Sequence, residues 1–197
     1  MRTFHAMATV PVDKASRLLN HGPTVLVGSA HGGRVNVMAA AWAMPLDFDP
    51  PKVAVVVDKA TLTRELIESS GTLSVCVPCV AQADLVRAVG NESGRDYPDK
   101  LQRCGVVFEP GPLTGCPLVN GAIAWMECRV LPATEHVAGP HDLILAEVVS
   151  AWADERVFSD GRWHFDGASD SLRSLHHVAG GFFYAIGAPV AARPSSP

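Results

Sequence analysis

Basic charge is scarce in this chain. Its 16 Lys and Arg are outnumbered by 20 Asp and Glu, the net charge is −4, and only 18% of the 197 residues are charged. Nonspecific nucleic-acid binding needs a basic field, so no nucleic-acid partner is expected. An anionic ligand would have to be held locally, by a lysine, hydroxyls and backbone N–H groups. Long apolar runs are also missing. The stretch from Val37 to Leu46 is broken by Pro45 and is far too short to span a bilayer, so no membrane partner is expected either. The N-terminal MRTFHAMATVPVDKASRLL lacks the continuous apolar core of a signal peptide. With no export signal, the five cysteines, odd in number and scattered, fit reduced thiols in a cytoplasm. Asn91-Glu92-Ser93 is then a coincidental glycosylation sequon.

The familiar catalytic signatures are absent. There is no G-x-S-x-G, no H-E-x-x-H, no P-loop and no G-x-G-x-x-G behind a strand, which argues against a doubly wound dinucleotide fold. Cys76 and Cys79 form a C-x-x-C, but along an apolar strand rather than at a helix N-terminus. Strand alternation sends the two thiols to opposite faces, and no second pair completes a zinc site, so they read as core cysteines and no metal is expected. His176-His177 is discounted as a ligand pair because adjacent side chains seldom point at one metal. His141-Asp142, at a strand entry, is either a general base with a carboxylate partner or a surface turn pair.

What remains is strand-rich. Nearly half the residues are hydrophobic, enough for one domain with a real core, taken as residues 1–187, with 188–197 as a disordered tail. Pro11–Asn20 reads as a short helix. Thr24–Ala30 and Val35–Met38 flank His31-Gly32-Gly33-Arg34 as a hairpin. The small-residue run Ala39–Met44 is expected to stop at Pro45 and the Asp47–Pro51 turn. Further strands are expected at Thr72–Pro78, Ala122–Val130 and Leu143–Trp152, with a hairpin over Phe158–Phe165. Ala81–Val89 reads as a helix, Asp99–Cys104 as a helical turn and Gly105–Pro117 as irregular. Six or seven strands with short helices and no βαβ alternation argue for a β-barrel or sandwich.

One stretch changes character abruptly. Val53–Val57 is a β-branched run; Asp58, Lys59, Thr61 and Thr63 then crowd a turn, and Arg64-Glu65-Leu66-Ile67 begins a helical pattern. A helix start rich in hydroxyls offers free N–H donors and a favourable dipole to a phosphate. Taken by itself it reads first as an ordinary cap, with Thr61 or Thr63 at the N-cap and Lys59 solvated. Close by in sequence, the small Ala39, Ala40 and Ala41 would let a flat ligand approach the backbone. Asn36 could pair with ring heteroatoms and Trp42 could wall the site. The alternative is an alanine-rich strand packed on a helix or a second subunit.

These same residues carry a family likeness. Arg34–Trp42, the turn Phe48-Asp49-Pro50-Pro51, Thr63–Ile67 and Gly71–Val77 are followed by Ala138–His141 through Ala146-Glu147-Val148, and by Leu175-His176-His177 to Gly180-Gly181 and Tyr184. In this order, over roughly residues 12–187, the chain resembles the flavin reductase-like family of FMN-binding split barrels, which includes the flavoredoxins. The likeness implies a mainly β fold, a six-stranded antiparallel Greek-key split β-barrel with short flanking helices, usually a homodimer with flavin near the subunit interface. It implies that Asn36, Val37, Met38, Ala39, Ala40, Ala41 and Trp42 line the isoalloxazine and ribityl chain. Asp58, Lys59, Ala60, Thr61 and Thr63 would form the phosphate turn, with Lys59, Thr61 and Thr63 holding the phosphate and Asp58 turned away or paired with a base. Asn91, Ser93 and Gly94 would lie on a loop over the flavin. His141 would stand near the nicotinamide as the catalytic candidate. The implied activity is NAD(P)H-dependent flavin reduction, with FMN as cofactor, NADH or NADPH as donor and a monooxygenase or electron-transfer protein as partner. A flavoredoxin-like FMN electron carrier is the alternative. The chain departs from the family pattern at Cys76, Pro140 and Ala146, where asparagine, aspartate and glycine are common.

Overall fold

The computed structural model describes residues 7–18, 22–132 and 135–192. In chain order its strands are β1 (Met7–Val10), β2 (Val25–His31), β3 (Arg34–Ala40), β4 (Ala43–Phe48), β5 (Pro51–Val56) and β6 (Thr72–Val77). These are followed by β7 (Phe108–Pro110), β8 (Pro117–Val119), β9 (Ala124–Val130), β10 (Leu143–Asp154), β11 (Phe158–Ser159), β12 (Arg162–Trp163), β13 (Leu175–Ala179) and β14 (Phe182–Ala185). The helices are α1 (Leu62–Ser70), α2 (Ala83–Asn91), α3 (Lys100–Arg103) and α4 (Glu135–His141).

An eight-stranded antiparallel sheet runs β3-β2-β6-β9-β10-β5-β4, with β1 added to β10. β10 is long enough to serve two partners on one edge. Its first half pairs with β5 and its last four residues with β1, on either side of a bulge between Val148 and Ser150. Such a bulge bends the strand and raises its twist, which is how a sheet curls toward a barrel. The ladder does not close between β3 and β4, so the barrel is split. The mainly β, antiparallel split-barrel class is therefore observed, with β1 and β4 added at its margins.

Strand parity sorts the core into two clusters. Val25, Val27, Val53, Val55, Leu73, Val75 and Val77 face the barrel interior, with Ile67 of α1 packed among them. Leu26, Val37, Cys76 and Trp125 face the other way, against Val86 and Val89 of α2. This is the period-two geometry of a strand buried on both faces. Cys76 and Cys79 fall into different clusters, as alternation requires, and all five cysteines are free thiols. Burial pushes the Cys76 thiol up to about 12, so it is inert rather than redox-active. Among the described residues no helix is long and apolar enough to cross a membrane, and no cluster of His, Cys, Asp and Glu could hold a metal ion.

Several elements differ from sequence expectation. The expected Pro11–Asn20 helix is a 3-10 turn at Val12–Leu18, and Leu19 and Asn20 lie outside the described residues. Pro45 does not stop the chain: β4 runs through it as an edge strand, with the pairing shifted between Pro45 and Asp47, and an edge tolerates the missing N–H. The Gly105–Pro117 segment contains the β7 strand, paired with β8. Helix α4 and the β13–β14 hairpin were not expected. The hairpin over Phe158–Phe165 forms with Asp160 and Gly161 at φ 50° and 74°, the left-handed pair of a tight two-residue turn. Residues 188–192 have no regular secondary structure, and 193–197 lie outside the described set.

Candidate functional site

The β5 strand empties into a turn whose geometry is set by its own side chains. Asp58 Oδ1 accepts the Ala60 N–H at 2.7 Å, and the Thr61 hydroxyl donates to the Asp58 carbonyl at 2.8 Å. Thr61, with extended backbone, is the N-cap of α1: its Oγ1 accepts the Arg64 N–H at 3.2 Å. Gly71, at φ 69°, ends the helix by returning its N–H to the Ile67 carbonyl. The first two helical amides, Leu62 and Thr63, have no acceptor among the described residues, as the start of any helix leaves them. Lys59 is exposed beside them and makes no ion pair among the described residues. Buried Arg64 fixes the turn from beneath. It pairs with Glu68 at 2.7 Å and donates to the carbonyls of Val57 at 2.8 Å and Ala138 at 3.3 Å.

Thr63 has a different position from the one expected. It is fully buried, and its hydroxyl accepts Asn36 Nδ2 at 2.8 Å across from β3. Asn36 is itself only 3% exposed. Gly94 completes the stack: a Cβ there would lie 2.6 Å from Asn36 Oδ1 and 2.9 Å from Leu62 Cδ2. The loop 91–97 is therefore drawn onto the α1 start. Arg95 clamps it, donating to the Ala60 and Thr61 carbonyls at 2.8 and 3.3 Å and pairing with Glu65 at 2.7 Å. Glu65 also pairs with Arg34 at 2.6 Å, and that contact, ahead of the others, lowers its carboxyl pKa.

Next to this turn lies a cleft of about 520 Å³, within the usual range for a small-molecule site. One wall is the end of β3 and its exit, Met38, Ala39, Ala40, Ala41 and Trp42, continued by Val56 and Asp58. A second is the end of α2, with Val86, Arg87, Gly90 and Asn91. Gly90 allows α2 to sit close on β3, since a Cβ there would come within 3.3 Å of the Ala39 Cβ. The third wall is Thr24 with His177, Gly181 and Phe183 of the β13–β14 hairpin. The hairpin is docked on Thr24, which donates its N–H to the Leu175 carbonyl at 2.7 Å and accepts the His177 N–H on its hydroxyl at 2.8 Å.

Of the sequence candidates, Met38, Ala39, Ala40, Ala41, Trp42, Asp58 and Asn91 line the cleft. Lys59, Ala60 and Thr61 form the adjoining turn, with Ser93 and Gly94 in the loop beside it. Asn36, Val37 and Thr63 are buried behind the wall. His141 is exposed at the end of α4 and is not among the cleft residues. It precedes Asp142, whose carbonyl accepts the Val57 N–H, and so sits alongside the Asp58 turn. Sequence reasoning missed Thr24, Arg87, Arg95, His177, Gly181 and Phe183. The Gly180-Gly181 pair was the available signal for the hairpin; nothing local marked Arg87 or Arg95.

The profile of the flavin reductase like domain matches residues 17–173, and the chain belongs to this family. YddH of Escherichia coli, an uncharacterised protein, is 50% identical over 93% of this chain and 97% of its own length. The crystal structure of an FMN-binding domain of a flavin reductases-like enzyme from Shewanella baltica superposes with a TM-score of 0.92 at 50% identity, covering 95% of this chain and 97% of that one. The NADH-dependent FAD reductase of Streptomyces globisporus is 28% identical over 75% of this chain and 81% of its own.

Proposed function

We propose that the chain is an FMN-binding oxidoreductase that takes a hydride from NADH or NADPH. The observation that carries this is the cleft itself: an alanine-floored slot adjoining a helix start with the free Leu62 amide and an exposed lysine that makes no ion pair among the described residues. Those donors fit a phosphate monoester dianion. The small side chains of Ala39, Ala40 and Ala41 allow a planar ring system close to the β3 backbone, with Trp42 beside it. Bound FMN would supply the redox chemistry, accepting the two electrons and the hydrogen that oxidation of a dihydronicotinamide releases. The protein's part is to bind, orient and exclude water, which needs no catalytic triad. The Lys59–Thr61 turn and the Leu62 amide hold the phosphate. Asn36 and Thr63 act from behind, fixing the wall and the helix start relative to each other. The NADH-dependent relative supports the nicotinamide reading.

The assembly that fits is a homodimer. Trp42, just ahead of the edge strand β4, and Met44, Leu46 and Phe48 along it are 74%, 55%, 45% and 80% exposed, an apolar stripe that begins at the cleft. A second copy seated there would cover the stripe and close the cleft over a flavin. Five free thiols fit a reducing cytoplasm, and a flavin-dependent monooxygenase is the partner that would use the reduced product. Turnover tests the reading: purified protein with FMN should oxidise NADH or NADPH. A flavin that stays oxidised with both, yet is reduced by a protein electron donor, would make the chain an electron carrier.

A further inference from the structure

Arg87 faces the cleft with its charge uncompensated. The other arginines around the site are paired: Arg34 and Arg95 with Glu65, Arg64 with Glu68. The Arg87 guanidinium has no acidic or carbonyl partner among the described residues, although it lines the cleft. It is exposed, but packed on one side. Its side chain lies against the turn of the β13–β14 hairpin, where a Cβ at Gly181 would be 2.8 Å from Nε and 3.2 Å from Cζ. Gly181 is at φ 81°, so both the backbone conformation and the space belong to glycine. Beside it, His177 and Phe183 meet edge to face at 5.6 Å, and both line the same wall.

Where the second and third walls meet, the cleft thus combines a guanidinium lacking an anion with a pair of rings, on elements separate from the Lys59–Thr61 turn. That combination recognises a flat ligand carrying a phosphate, because guanidinium pairs with phosphate through two parallel donors and rings stack on rings. We propose that Arg87 anchors a phosphate group of the nicotinamide dinucleotide donor, with His177 and Phe183 supporting its planar part, and so sets affinity for the donor rather than for the flavin. This rests on the nicotinamide-dependent reading above.

The test uses the full chain loaded with FMN, as wild type, Arg87→Ala and Arg87→Lys. The readouts are KM and kcat with NADH and NADPH, the Kd of NAD+ and NADP+ from perturbation of the flavin absorbance, and the Kd of FMN from fluorescence quenching. Arg87→Ala is expected to raise the donor KM and the oxidised dinucleotide Kd by about tenfold or more, the loss of a charge-assisted hydrogen bond. FMN Kd should stay within about twofold, since no flavin contact is assigned to Arg87, and Arg87→Lys should recover part of the loss by restoring charge without the fork. Unchanged donor KM and dinucleotide Kd in Arg87→Ala, with wild type turning over, overturns this assignment alone. An FMN Kd that rises by the same factor moves Arg87 to the flavin phosphate and also overturns it. Wild-type holoprotein that binds and oxidises neither dinucleotide overturns the assignment together with the nicotinamide reading.

Discussion

Thr63→Val separates two roles for one hydroxyl. Valine keeps the shape of threonine but cannot accept the Asn36 Nδ2–H, which now makes a 2.8 Å bond at a buried site. Leaving a buried donor unpaired costs about 1–3 kcal/mol. For a chain of this size each kcal/mol moves Tm by about 2–4 °C, so the apo-protein should melt about 2–12 °C lower. Thr63 has no exposed surface, so neither its hydroxyl nor its backbone N–H gives anything directly to a phosphate. FMN affinity should therefore fall only modestly, through loosening of the Asn36 wall. The assay is paired: apo Tm by calorimetry and FMN Kd by fluorescence quenching, with Lys59→Ala as the contrasting variant that weakens FMN while sparing apo Tm. A Thr63→Val protein whose apo Tm is unchanged while FMN binding collapses would refute the reasoning and return the hydroxyl to the phosphate.

Three further outcomes follow from the structure. Met44→Lys with Phe48→Lys on the exposed β4 stripe should convert a wild-type dimer into a folded monomer by sedimentation; an unchanged sedimentation coefficient would put the interface elsewhere. Native protein should react with a thiol reagent slowly and at Cys104 alone, the one cysteine that is not buried, and at all five once denatured; fast native reaction at Cys79 would revive the redox-pair reading. Stability should fall with alkalinity, because burial holds the Cys76 thiol protonated up to about 12 against 9.0 ordinarily. The unfolded chain loses that proton first, so stability is full below about pH 9 and declines above it, by less in Cys76→Ala. Urea midpoints across that range give the comparison.

What was legible in the sequence was local. The Thr61 cap, the hairpin at Gly32-Gly33 and the opposite faces of Cys76 and Cys79 all follow from turn chemistry and strand parity within a few residues. The Asn36–Thr63 bond was not legible, because its partners are 27 residues apart and each reads alone as a surface polar group. Arg95 over the Ala60 and Thr61 carbonyls is 35 and 34 residues from its partners, and Arg87 meets Gly181 through packing of the last hairpin. Strand β4 was missed because Pro45 normally ends a strand; only its place at the sheet edge, set by distant pairing, removes the objection. Helix α4 was missed because Gly139 and Pro140 argue against one.

The property that matters most is binding of FMN by the alanine-floored cleft and the Lys59–Thr61 turn in a form that a reduced nicotinamide can reach. Anaerobic spectrophotometry of purified protein titrated with FMN, then with NADH or NADPH, tests it in one cuvette. The expected result is perturbation of the flavin absorbance saturating at one flavin per chain, followed by bleaching on addition of one of the donors. Unperturbed FMN that stays yellow after both donors would contradict it.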